Sequence, residues 1–60
     1  MKRRLLIKKL EEIGCILVRH GGKHDYYTNY RMKHSQPVPR HGEINERLAK
    51  AIIKKLSEEK

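Results

Sequence analysis

Leu6, Leu10, Ile13 and Leu17 recur at helical spacing with Leu5 close by, while Arg4, Lys8, Glu11 and Glu12 fall on the other side. That pattern predicts an amphipathic helix from about Lys2 to Ile13. Gly14 follows at once, where a C-terminal cap belongs, so Leu17 is better placed in the next element. Cys15-Ile16-Leu17-Val18 is apolar and partly β-branched, and it predicts a first strand from Cys15 to about His20. Gly21-Gly22 then suits a two-residue hairpin loop, because the favoured loops need positive φ at one or both central positions. Asp25 to Arg31 is rich in strand formers and predicts a second strand. Its alternation sets Tyr26, Thr28 and Tyr30 on one face and Tyr27 and Asn29 on the other, with one set packed under the helices.

Met32 to Ser35 reads as the next turn. Gln36-Pro37-Val38-Pro39 can be extended, but its prolines remove ladder donors, so it is expected as a short edge strand. A loop over Arg40 to Glu43 leads to a second helix capped by Asn45. Leu48, Ile52 and Leu56 form its expected buried stripe, helped by Ala49 and Ala51, while Arg47, Lys50 and Lys54 line the opposite side. Ser57 to Lys60 should fray. The fold class is α+β, in the order α-β-β-β-α: a three-stranded antiparallel sheet with both helices on one face. The other face is left free for a ligand or partner.

Charge changes this picture. Fifteen Lys/Arg against seven Asp/Glu give a net charge of +8 in 60 residues, one domain's worth of chain. Between Ile13 and Gly42 stand Arg19, Lys23, Arg31, Lys33 and Arg40, opposed only by Asp25. Such a field attracts polyanions, of which nucleic acid is the commonest. The lone Cys15 allows no intrachain disulfide and suits a reducing compartment. The basic start is followed by too short an apolar run for a signal peptide, and nothing approaches a membrane span. A cytoplasmic protein is expected.

The sharpest chemical signal is Arg19-His20-Gly21-Gly22-Lys23-His24-Asp25. An imidazole moves protons near neutral pH, and a neighbouring cation can hold a phosphate. If the second hairpin turns near Met32 to Lys33, His24 lies roughly opposite His41, and His24, His41, Lys23 and Arg40 share one end of the sheet. Such a cluster suits metal-independent RNA cleavage: an imidazole takes the 2′-hydroxyl proton, and Lys23 or Arg40 stabilises the phosphoryl oxygens. His20 and His34 read as strand-end and turn residues. The plainer alternative for each histidine is a solvated surface group. A zinc site from Cys15, His20 and His24 lacks the paired spacing such sites use and is set aside.

Three stretches carry a resemblance over nearly the whole chain: Leu10-Glu11-Glu12-Ile13-Gly14 running into Leu17-Val18-Arg19; Gly22-Lys23-His24-Asp25; and Val38-Pro39-Arg40-His41 followed by Glu43-Ile44. Together they resemble the HicA-type toxins, mRNA interferases of type II toxin–antitoxin modules with a fold like the double-stranded-RNA-binding domain. The resemblance implies that His24, the histidine of the glycine-x-histidine corner, is the residue needed for cleavage. His41 is a secondary candidate from the hairpin geometry, and Lys23, Arg19, Arg40 and His20 are candidate RNA contacts. It further implies a ribonuclease that stops translation, mRNA as its substrate, and a HicB-type antitoxin partner that covers the active surface, with no cofactor. Lys23 stands where the family often has serine or asparagine, and Cys15 where it often has an aromatic residue. Two other readings are a non-catalytic RNA-binding module of the same fold and an adaptor that holds an acidic protein.

Overall fold

The computed structural model describes residues 1–57. Five elements follow in chain order: α1 (Arg3–Glu12), β1 (Cys15–Gly21), β2 (His24–Asn29), β3 (His34–Pro39) and α2 (Glu46–Ser57). The strands form one antiparallel sheet in the order β1-β2-β3, with β2 in the centre. Gly14 ends the α1 segment at φ 97°, a conformation that glycine adopts without a side-chain penalty. The start of α2 is capped by Asn45, whose Oδ1 accepts from the backbone N–H of Arg47 at 2.8 Å and Leu48 at 3.3 Å.

One face of the sheet supplies Cys15, Tyr27 and Val38 to the core. Leu6 and Leu10 of α1 and Ala49, Ile52 and Leu56 of α2 close over them, joined by Ile44. Both helices therefore cover the same face. Tyr27 and Asn29 of β2 go beneath them, and burial raises the Tyr27 hydroxyl's pKa. Cys15 is likewise buried, and desolvation raises its thiol pKa.

Several boundaries differ from expectation, each for a local reason. The first hairpin loop is Gly22-Lys23, not Gly21-Gly22, because Gly21 still pairs with His24 inside the ladder. Of Gly21, Gly22 and Lys23, only Gly22 has positive φ, at 37°. The second turn comes early: β2 stops at Asn29 instead of Arg31, and the loop is Tyr30 to Lys33. Asn29 drives this, since its Oδ1 accepts from the backbone N–H of Arg31 at 3.0 Å and so bends the chain there. Tyr30 accordingly sits in the turn, 62% exposed, and does not share a sheet face with Tyr26. With the shorter strand, His24 faces Pro39 instead of His41.

On α2, Leu48 is 43% exposed and Ala49 is fully buried, and Ala51 is exposed. At 3.6 residues per turn, position 49 lies about 20° from position 56 around the helix, whereas position 48 lies about 80° away. The small alanine therefore faces the sheet, and the leucine expected there turns outward. Leu5 is also outside the core. Ser57 closes α2, and the rest of the segment expected to fray lies outside the described residues.

Candidate functional site

The two sides of the β1–β2 hairpin carry different chemistry, and one unpaired residue separates them. Leu17 faces Tyr27 and Arg19 faces Tyr26, which leaves Val18 without a partner. A regular ladder would set Arg19 against Asp25. The bulge instead moves Arg19 to the uncovered face and brings His20 against Asp25 on the helix side.

Asp25 is only 7% exposed, and two guanidinium groups and an imidazole converge on it. His20 Nδ1 lies 2.8 Å from Oδ1, Arg40 Nε donates to the same oxygen at 2.8 Å, and Arg3 Nη2 donates to Oδ2 at 2.7 Å. Arg3 Nε also donates to the Pro39 carbonyl at 2.8 Å, which ties α1 to β3. The bond with His20, then that with Arg40, holds the Asp25 pKa below its ordinary value. This carboxylate organises the corner. The sequence offered a signal for it: one acid alone among five cations, next to the candidate histidine.

His24 lies one residue before Asp25 and so points to the opposite, uncovered face, where it is exposed. It pairs with Gly21 on one side and Pro39 on the other. The same face carries Tyr26, and the Arg19 guanidinium carbon lies 4.7 Å from the centre of its ring. Lys23 is exposed at the loop beside His24. His41 is exposed two residues past the end of β3, and among the described residues no hydrogen bond joins it to His24. Thus Arg19, Lys23 and His24 gather on or beside the open face, whereas His20 and Arg40 are bound to Asp25 behind it.

Two surface depressions among the described residues are lined by neither His24, Arg19 nor Tyr26. One is lined by Glu12, Ile13, Gly14, Asn29, Arg31, Met32 and Ser57 at the other end of the sheet, and a second, basic one by Lys2, Arg3, Arg4 and Gly42. An extended polyanion is held by a charged face and needs no enclosed cavity. Among the described residues no group of three or more His, Cys, Asp or Glu side chains is arranged to hold a metal ion. None of their helices is long and apolar enough to cross a membrane.

The family model described as the HicA toxin of bacterial toxin–antitoxin systems matches residues 3–57. The chain belongs to the HicA toxin family. No curated protein and no solved structure matches it. The match spans every element from the first residue of α1 to the last of α2, so the helix-covered sheet and its open face together form the HicA domain of this chain. Membership in this family implies an antitoxin as partner.

Proposed function

We propose that this HicA protein is a metal-independent endoribonuclease that cuts mRNA and so inhibits translation, with His24 as its proton carrier. The observation that carries the reading is the position of His24: exposed, on the face the helices leave open, within a strongly basic chain. In the reaction, the imidazole accepts the proton of a ribose 2′-hydroxyl. The 2′-oxygen then attacks the adjacent phosphorus, the bond to the 5′-oxygen breaks, and that oxygen leaves with a proton returned by the imidazolium or by water. The products are a 2′,3′-cyclic phosphate and a free 5′-hydroxyl. A single positioned imidazole contributes about 10²–10⁴-fold, which suits a modest catalyst that acts on an abundant polymer.

A HicB-type antitoxin in the cytoplasm is the proposed partner. Ile16, Leu17 and Val18 support a protein contact, since they are 50%, 41% and 40% exposed on the edge strand β1. Charge supports an acidic one.

The test is induced expression of the natural chain and His24→Ala, followed by mapping of RNA ends. The expected result is new 5′ ends and growth arrest with the natural chain, and neither with His24→Ala, while purified His24→Ala still binds RNA. Cleavage by His24→Ala at the natural rate would overturn the role of His24. Tight RNA binding with no cleavage by the natural chain would point to a non-catalytic RNA-binding module instead.

A further inference from the structure

The reaction proposed above needs a cation at the phosphate as well as a base at the 2′-hydroxyl, and the cations nearest in sequence differ in what already occupies them. Arg40 and Arg3 are bound to Asp25 behind the sheet. Lys23 is at the loop tip, with no ion pair among the described residues. Arg19 is different, because it is both on the face of His24 and held in place there.

Three residues hold it. The bulge at Val18 turns Arg19 outward, opposite Tyr26. The Tyr26 ring supports the guanidinium at 4.7 Å, a cation–π contact. Gly21 lets that ring lie down: a Cβ at position 21 would stand 2.9 Å from Tyr26 Cε1, closer than such atoms approach. The same point is 3.7 Å from Arg19 Nη2. Gly21 is the direct cross-strand partner of His24, and opposed Cβ positions on one face lie roughly 5 Å apart. The guanidinium edge therefore ends near Gly21, the cross-strand partner of His24, on the face that the His24 side chain shares.

We propose that Arg19, turned onto the open face by the Val18 bulge and laid on the Tyr26 ring, receives the phosphate whose neighbouring 2′-hydroxyl His24 deprotonates. Arg19 contacts the phosphoryl oxygens, and Tyr26 is a positioning residue that acts through it. The planar fork of a guanidinium suits two phosphate oxygens, and lysine at this position would supply charge without the fork or the stacking. The glycine at position 21 thus serves a close approach of side chains, since its φ is not positive.

This inference rests on the nuclease reading, and one experiment separates the two. Single-turnover cleavage of a short RNA is measured for the natural chain, His24→Ala, Arg19→Gln, Arg19→Lys, Tyr26→Phe and Tyr26→Leu, each first shown to melt cooperatively. Arg19→Gln is expected to cut about 10²-fold more slowly at saturating RNA, the loss typical when one donor to a developing oxyanion is removed. Arg19→Lys should recover only part of that loss. Tyr26→Phe keeps the ring and should retain the Arg19-dependent rate that Tyr26→Leu loses. The double variant Arg19→Gln/Tyr26→Leu should be no slower than Arg19→Gln alone, because both changes remove one interaction. RNA affinity gives a second readout: Arg19→Gln should lower the slope of log affinity against log salt by about one phosphate contact. If His24→Ala is inert while Arg19→Gln matches the natural chain in rate and salt slope, this inference falls and the nuclease reading stands. If His24→Ala cuts normally, the nuclease reading falls. In that case, and equally if the natural chain binds RNA without cutting it, an unchanged salt slope for Arg19→Gln overturns the Arg19 assignment too.

Discussion

His20 Nδ1 and Asp25 Oδ1 stand 2.8 Å apart across the β1–β2 hairpin, and they meet only because Val18 has no partner in the ladder. The contact lies on the helix side of the sheet, while His24, next to Asp25 in the chain, faces the other way. Asp25 is thus the fixed point from which the hairpin, the Arg40 loop and α1 are all held. Asp25→Asn should lower the melting temperature at neutral pH, because Arg3 and Arg40 lose their charge partner. The pKa of Asp25 is lowered on folding, so its contribution is complete above the ordinary carboxylate value of about 3.9. That contribution disappears as pH falls through the lower folded value. Melting curves of the two proteins should therefore differ most near neutrality and converge in acid.

Asn29 holds the opposite end of the sheet. Its Nδ2 donates to the buried Leu56 carbonyl at 2.7 Å and its Oδ1 starts the β2–β3 turn. Asn29→Ala leaves that carbonyl without its partner and should cost about 1–3 kcal/mol. Urea unfolding should show a lower midpoint with little change in slope, which checks that the native state is otherwise kept.

Around α2 the structure separates two leucines that look equivalent in sequence. Leu56 has no exposed surface and Leu48 is 43% exposed. Leu56→Ala should cost about 2–5 kcal/mol, a large share of the stability of so small a domain. Leu48→Ser should stay within about 0.5 kcal/mol. Thermal melts of the two variants side by side decide the orientation of the helix.

RNA binding should weaken steeply with added salt, because phosphate contacts release counterions. Cleavage should vary with pH across the range in which imidazole changes its protonation, and should persist in EDTA. A rate that is flat in pH, or that is lost on chelation, would contradict the proposed proton chemistry. Both are read from one purified protein and one labelled RNA.

The order of elements is legible in the amino-acid sequence alone. The 3.6-residue spacing of Leu6 and Leu10, the stop at Gly14, the apolar run after it and the Asn45 cap are local signals, and local energies decide them. The prolines of β3 marked an edge strand, and β3 is one. The sequence pattern puts the turn after Asn29 too late because the side-chain bond that ends the strand competes with strong strand formers around it. Leu48 reads as a core residue in the sequence because hydrophobicity says nothing about which side of a helix must come closest to a sheet.

The helix-strand-strand-strand-helix order, the basic field and a histidine next to a glycine corner are all written in the local pattern of residues. Which cation shares a sheet face with that histidine depends on the folded ladder. A strand shows its faces by alternation, and one extra residue reverses every face beyond it. Nothing in the run Leu17-Val18-Arg19 marks where that residue sits, because the ladder to Tyr26 and Tyr27 sets it. The reversal sends His20 to Asp25 and Arg19 to Tyr26, and so divides one cluster of neighbouring residues into a structural corner and an open, charged face.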